Sequence, residues 1–332
     1  MKKIGILFGG PSVEHEVSIV SARGVFENID KKLFKPLLIY QDKKGIFYPP
    51  AFSLKILQGK KEISNPIGFE ELIKKNKIKI IFPLIHGTFG EDGTLQGFLE
   101  SHKLKYVGCG VKASAIGMDK QLCKKLWENC GLPVVPYFTI YKENYKNELK
   151  KIEKKFKYPL FVKPADSGSS VGITKVKRKS DLIPAIENAF KFTRKVLLEE
   201  AISGREIEVS ILGGYDPEYI SPPGEIVPSK EFYDYEDKYK LNKAGLLVPA
   251  PLNDKLVSKF KKLAKKAFKA IDGYGMARVD FFLENDHKIY INEINTIPGF
   301  TPISMYPKLL ALCGFSYKDL ITKLLELTEK KV

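Results

Sequence analysis

Asn292-Glu293-Ile294-Asn295-Thr296-Ile297-Pro298-Gly299-Phe300-Thr301-Pro302-Ile303-Ser304 is the stretch that decides the fold of this chain. It sets a carboxylate and an amide two residues apart, just before a Pro-Gly turn. Oxygen ligands at that spacing suit a hard divalent cation. Upstream, Ala277-Arg278-Val279-Asp280-Phe281 reads as a strand, and side chains of a strand alternate between faces. Arg278 and Asp280 therefore share one face, as do Glu293 and Asn295. Between the two strands lies Asn285-Asp286, a suitable turn pair. A turn centred there sets Glu284 opposite His287 and Arg278 opposite Glu293, and directly opposed residues point to the same side. Arg278, Asp280, Glu293 and Asn295 are then expected on one face, with Asp280 and Glu293 as diagonal neighbours roughly 7–8 Å apart at Cα. Parity alone leaves two readings open: a cation site for phosphate transfer, or an Arg–Glu salt bridge across an exposed sheet. The Pro-Gly turn, with Ser304 beyond it, favours the first.

Outward from this point the chain reads as alternating strands and helices. Ile4–Phe8, Leu37–Tyr40 and Ile78–Ile85 are apolar strands of a parallel sheet with crossover helices. A helix is expected from about Val13 to Asn28, with the Ser12 hydroxyl taking a free N–H at its start. A second unit, 109–200, carries a helix over Met118–Cys130, strands Pro159–Lys163 and Ile173–Val176, a helix Asp181–Phe192 and a strand Val196–Glu199. A third, 201–332, opens with the strand Glu206–Leu212. The Gly-, Pro- and Tyr-rich stretch 214–250 reads as a lid, because long loops inside compact domains are usually functional. It carries Tyr215, Tyr219, Tyr233, Tyr235 and Tyr239, which disordered linkers tend to lack. A helix over about 253–272, the two strands and a last helix from about Tyr317 complete the unit.

Three loops carry further chemistry. Lys163-Pro164-Ala165-Asp166-Ser167-Gly168-Ser169-Ser170-Val171-Gly172 is a strand-turn-strand whose backbone N–H groups suit a polyphosphate, with Lys163 as a point charge. It is no Walker A loop, and a bare glycine-serine hairpin is the competing reading. Gly9-Gly10-Pro11-Ser12-Val13-Glu14-His15-Glu16 places a helix start at the carboxyl end of the first strand, where open α/β sheets bind ligands. Glu14 there either compensates the helix dipole or binds a ligand's ammonium group. His86-Gly87-Thr88-Phe89-Gly90-Glu91-Asp92-Gly93-Thr94 is a tight loop at the same sheet edge, or only a turn with an Asp cap.

The bulk properties bound these readings. The 332 residues are 44% hydrophobic and 28% charged, ordinary for a soluble protein of two or three domains. No apolar stretch approaches the ~20 residues of a membrane helix. The N-terminal run reads as a first strand, so no export is expected. Cys109, Cys123, Cys130 and Cys313, without metal-like pairing, fit free thiols, and the spacing of the four histidines disfavours zinc. The net charge of +16 comes mostly from dispersed lysines, with five arginines among 55 basic residues. A solvated basic surface is therefore preferred over a nucleic-acid site, which would leave the acids around Asp280 and Glu293 unexplained.

Taken in order, Gly9–Ser18, His86–Gly97, Lys163–Gly172, Glu199–Glu206, Glu231–Tyr239, Ala277–Phe281 and Asn292–Pro307 resemble the D-alanine–D-alanine ligases of the ATP-grasp superfamily. The resemblance runs from residue 4 to about 310, weakest over 41–77 and 142–157. It implies an α/β and α+β chain: a Rossmann-like N-terminal domain over 1–108, then an ATP-grasp fold built from 109–200 and 201–332. It implies that ATP phosphorylates one D-alanine carboxylate, that a second D-alanine's amine attacks the acyl phosphate, and that the dipeptide feeds peptidoglycan synthesis. Residue by residue, it implies Asp280, Glu293 and Asn295 as ligands of two Mg²⁺ ions, with Mn²⁺ as a substitute. Lys120, Lys163 and the loop Ser169, Ser170 and Val171 would hold phosphates. Glu199, Glu200, Ala201 and Ile202 would form the adenine hinge, Glu206 would take the ribose, and Asn292 would join the nucleotide site. Glu14 would bind the first ammonium group, and His86 and Met305 would line the substrate pocket. Arg278 and the Gly299 N–H would stabilise the oxyanion. Ser304 and Lys238 would take the second carboxylate, and Tyr239 would join Glu14 and Ser169 in a triad that favours an amine over a hydroxyl nucleophile. A cytoplasmic homodimer binding D-alanine and ATP, without nucleic acid or membrane, is expected. The chief alternative is another ATP-grasp ligase, including one that forms a D-Ala–D-lactate ester.

Overall fold

The computed structural model describes residues 1–60, 63–228 and 245–331. The chain begins with β1 (Lys2–Gly9), α1 (His15–Asn28), β2 (Phe34–Gln41), β3 (Phe47–Tyr48), α2 (Pro50–Leu57), α3 (Phe69–Asn76), β4 (Ile80–Pro83), α4 (Thr94–Ser101) and β5 (Lys105–Tyr106). Their sheet has the order β3-β2-β1-β4-β5, parallel except where β3 joins β2. Ile4 to Phe8 is buried without a break because helices cover both faces, which is why β1 reads as continuously apolar. The carboxyl ends of β1 and β4 lie side by side at the point where the strand order reverses. Loops 9–14 and 84–93 emerge there, and open α/β sheets take ligands at such switch points.

Helices α5 (Val111–Met118) and α6 (Lys120–Asn129) follow. The helix expected over 118–130 is present as α6; it starts at Lys120 because Asp119 caps it, accepting from the N–H groups of Gln121 and Leu122, while Met118 ends the additional helix α5. Next come β6 (Tyr137–Tyr141), α7 (Tyr145–Lys155), β7 (Leu160–Pro164), β8 (Thr174–Val176), α8 (Leu182–Ala189) and β9 (Lys195–Glu200). They form an antiparallel sheet, β6-β9-β7-β8, over a core that includes Ile152, Val162, Ile186 and Leu198.

The last unit comprises β10 (Arg205–Gly213), β11 (Tyr219–Ile220), β12 (Gly224–Val227), β13 (Gly245–Leu247), α9 (Asp254–Ala270), β14 (Gly275–Glu284), β15 (Lys288–Asn295), α10 (Met305–Ala311) and α11 (Tyr317–Lys330). Its sheet runs β13-β12-β10-β14-β15, antiparallel throughout. Val209, Val279, Phe281 and Ile291 face a core completed by α9 and by Ala113, Cys123 and Trp127 of α5 and α6. The Trp127 indole donates to Ala267 O, which fastens α6 to α9. The other face of this sheet is polar and looks toward the β6-β9-β7-β8 sheet.

Candidate active site

Strand β14 alternates as the sequence requires: Ala277, Val279 and Phe281 are buried, while Arg278, Asp280 and Phe282 are only partly covered. On β10, Glu206 lies opposite Phe282, Glu208 opposite Asp280 and Ser210 opposite Arg278. On β15 the register differs from the expected one. Glu284 pairs with Lys288 across a three-residue turn, so Arg278 would lie opposite an isoleucine and not the polar pair. A bulge between Asp280 and Phe281 corrects this by leaving Asn292 as the extra residue. Asp280 then stands directly opposite Glu293, and Arg278 opposite Asn295. The expected Arg278–Glu293 pairing and the diagonal Asp280–Glu293 relation are therefore corrected. The shared face is present, but it depends on a bulge that alternation could not reveal.

On this face the charges interlock. The Arg278 guanidinium donates from Nε and Nη2 to the two Asp280 oxygens, 2.7 Å each, and its Nε lies 3.2 Å from Glu208 Oε2. Burial would lower the Arg278 pKa, but Asp280 and Glu208 outweigh it and hold the guanidinium well above its ordinary value. With its amide turned to satisfy both ends, Asn295 donates to Glu91 Oε1 at 2.7 Å and accepts from Arg278 Nη2 at 3.2 Å. Glu91 also accepts from the N–H groups of Gly87 (2.7 Å) and Ile297 (3.0 Å). Burial and the nearby Glu14 charge push its pKa up to about 8, against those N–H donors and Arg278.

Two hollows meet at Arg278. One, a cleft of about 470 Å³, lies between the β6-β9-β7-β8 sheet and the polar face; Lys163, Ser170, Glu199, Ile202, Glu206 and Asn292 are among its lining. Glu200, Ala201, Asp280, Glu293, Lys120 and Ser169 complete its charged and hinge positions. Lys163 Nζ is 2.6 Å from Glu199 Oε2 and 3.5 Å from Asn292 Oδ1. Lys120 Nζ donates to Ser167 O and lies 3.6 Å from Glu293 Oε2. Ser169 and Ser170 both hold left-handed backbone (φ 51° and 60°). Such positions cost about 1–3 kcal/mol each and are typically kept at ligand clamps. Val171 stands apart, since its N–H is spent on Gly168 O.

The second hollow, about 140 Å³, is lined by Glu14, His86, Glu91, Ser169, Arg278, Glu293, Asn295, Gly299, Ser304 and Met305. Glu14 sits at the start of α1, its N–H bonded to Ser12 Oγ. Gly87 (φ 73°) is required beside it, because a Cβ there would stand 2.7 Å from Glu14 Oε2. The turn that bears Gly299 is held from the N-terminal unit: Phe300 N–H donates to Ser21 Oγ, which pairs with His86 Nε2 at 3.0 Å, while His86 Nδ1 meets Ile297 O at 2.9 Å. Ile297 O can only accept, so Nδ1 carries the proton and Nε2 accepts from Ser21. Burial lowers the His86 pKa and keeps the ring neutral. Ser304 Oγ accepts from the Thr301 N–H and pairs with its hydroxyl, and a Cβ at Gly299 would stand 2.7 Å from that oxygen.

Among the described residues no three acidic, imidazole or thiol groups cluster as a metal cage. The oxygens present are two directly opposed carboxylates with flanking amides. This set fits a hard cation that completes its shell with substrate phosphates, as Mg²⁺ does. Lys238 and Tyr239 lie outside the described residues. Glu91, Glu208, Ser21 and Lys124 were not foreseen from the sequence. Glu208 carried a legible signal, because it alternates with Glu206 along the strand. Glu91 lay in the Gly-rich loop 86–94, already marked as a site loop, but without a role of its own, and Ser21 and Lys124 gave none.

The D-ala D-ala ligase N-terminus family matches residues 3–109, and the D-ala D-ala ligase C-terminus family matches 126–326. The chain belongs to the D-alanine–D-alanine ligase family. It is 46% identical to the D-alanine–D-alanine ligase of Halothermothrix orenii, over 98% of this chain and 97% of that protein. It is 44% identical to that of Caldicellulosiruptor bescii, over 99% and 95%. Among solved structures, the VanG D-Ala:D-Ser ligase of Enterococcus faecalis superposes with a TM-score of 0.86 at 35% identity, covering 98% of this chain and 99% of that one. The D-alanine–D-alanine ligase of Coxiella burnetii gives 0.85 at 33% identity, covering 99% and 96%. An ATP-grasp ligase with a Rossmann-like first unit accounts for the three sheets and for the position of the polar face between the two hollows.

Proposed function

We propose that this chain is an ADP-forming ligase that joins two D-alanine molecules for cell-wall synthesis, with ATP in the larger cleft and the amino acids in the smaller hollow. The observation that carries the reading is the position of Arg278, which lines both hollows and adjoins Asp280, Glu208 and Asn295. A carboxylate is a poor acylating agent. One oxygen of the first D-alanine attacks the γ-phosphorus of ATP, and ADP leaves. The amine of the second D-alanine then attacks the acyl carbon, loses a proton, and phosphate departs.

The chain's side chains fit these steps. Glu14 takes the first ammonium group, with Ser169 close by in the same hollow. Arg278 and the Gly299 N–H neutralise the oxyanion of the tetrahedral intermediate, in a site where preorganised donors are most effective. Ser304, beside Gly299, receives the second carboxylate, with Lys238, and Met305 closes the wall. Lys120 and Lys163 offset phosphate charge, and Glu199 to Ile202 with Glu206 hold the nucleoside. Asp280, Glu293 and Asn295 would hold divalent cation, in two positions, which when bound screens the transferring phosphoryl group. Each Asp280 oxygen keeps a lone pair beyond the one that Arg278 takes, so a cation and the guanidinium would share that carboxylate. The units 1–108, 109–200 and 201–332 act as N-terminal, central and C-terminal domains, with α5 and α6 sharing their core with the third. No described helix is long and apolar enough to cross a membrane. A cytoplasmic homodimer is the assembly we favour.

The test is ADP and phosphate release with ATP, Mg²⁺ and D-alanine alone, compared with D-alanine plus D-lactate or D-serine. Turnover with D-alanine alone is expected. None with D-alanine would sink the dipeptide reading, and preference for a mixed pair would reassign the second substrate.

A further inference from the structure

Behind the larger cleft lies a charge that none of the roles above uses. Lys124, on α6, is 1% exposed, and its Nζ is 3.0 Å from Glu199 Oε1, itself on a side chain 1% exposed. Lys163 holds the other oxygen at 2.6 Å. Lys124 is absent from the lining of the cleft, whereas Lys163 and Glu199 are part of it. Burial lowers the Lys124 pKa and the Glu199 carboxylate at 3.0 Å opposes that, so two lysines flank one buried anion, and of the two only Lys163 lines the cleft. We propose that Lys124 is a positioning residue: it is the resident counter-ion of Glu199, and by neutralising it leaves Lys163 free to give its charge to a nucleotide's phosphate.

The argument is one of charge balance. A phosphate and Glu199 compete for the single charge of Lys163. Breaking a buried ion pair strands the remaining charge, at a cost of several kcal/mol. With Lys124 in place, Glu199 stays paired when Lys163 turns to the phosphate. Without it, Lys163 is the sole partner of a buried carboxylate and is held there. Burial would raise the Glu199 pKa, but Lys124 first and Lys163 second bring it down to about 2, so the carboxylate is an anion at any working pH and always needs a partner. The Lys124 side chain is buried, with Nζ 5.9 Å from the Tyr137 ring centre, and an unbranched methionine is close to it in shape. Lys124→Met also leaves the neutral Lys163–Glu199 pair, which preserves the fold.

This inference rests on the nucleotide reading of the cleft. It is tested by direct binding of ATP and of adenosine, with Mg²⁺ and without D-alanine, so that no turnover occurs. The ratio of the two affinities isolates the phosphate contribution. In Lys124→Met that ratio should fall roughly 10- to 100-fold. In the double variant Lys124→Met with Glu199→Gln it should return to near the starting value, because no anion remains to hold Lys163. A purely structural defect would not be repaired by that second change. An unchanged ratio in Lys124→Met, or a double variant that stays low, overturns the proposal. Failure of the unaltered protein to bind ATP is a distinct result, which removes the nucleotide reading and this inference with it.

Discussion

Replacing Ser21 with alanine removes one oxygen atom from the contact between α1 and the turn that bears Gly299. Ser21, His86 and Phe300 are all buried. The change orphans two groups, the Phe300 N–H and His86 Nε2. Moving the ring proton to Nε2 does not help, since Ile297 O would then lose its donor. Each orphaned buried group costs about 1–3 kcal/mol, so the two together should cost about 2–6 kcal/mol. Part of this appears as lost stability and part as a displaced turn. If the turn shifts, the Gly299 N–H leaves its best line to the oxyanion, and turnover falls about tenfold, a fraction of the effect of deleting such a donor. The assays are urea unfolding and steady-state ADP release. Ser114 supplies the control: its hydroxyl is buried and has no hydrogen-bond partner among the described residues, so Ser114→Ala removes an orphaned group and should leave stability unchanged or raise it by about 1 kcal/mol. Ser21→Ala should lower both the unfolding midpoint and kcat, with the KM for ATP unchanged. A Ser21→Ala protein indistinguishable from Ser114→Ala would refute the claim that this hydrogen-bonded ring sets the turn.

Two further outcomes follow from the site. Glu293→Gln removes one of the two opposed carboxylates while keeping its shape, and should abolish turnover in a folded protein; near-normal activity would remove the metal assignment. Because burial lowers the His86 pKa, the folded protein refuses a proton that the unfolded chain accepts below about pH 6.5. Its contribution to stability is therefore complete above that pH and is lost as pH falls, and His86→Gln should flatten the decline in urea midpoint between about pH 7.5 and 5.5. An unaltered slope would assign the decline to other groups.

The sequence by itself determined which chemistry the chain carries and in what order. Alternation in 277–283 put Arg278 with Asp280, and alternation in 289–295 put Glu293 with Asn295. Local sterics enforce that period, so it is legible without a fold. The apolar strands, the Gly-rich turns and the Asp119 and Asn253 helix starts are equally local. Only the tertiary structure decided how the two ribbons register, because the inserted Asn292 answers to packing across the sheet and leaves no mark on either strand's pattern. The same holds for Glu91, which meets the Ile297 N–H from 206 positions away, and for Ser21, which meets Phe300 across 279. A buried acid or serine looks like any turn or helix residue in sequence. Its partner is chosen when three sheets close around one polar face, and there desolvation makes each unpaired group costly enough to fix the arrangement.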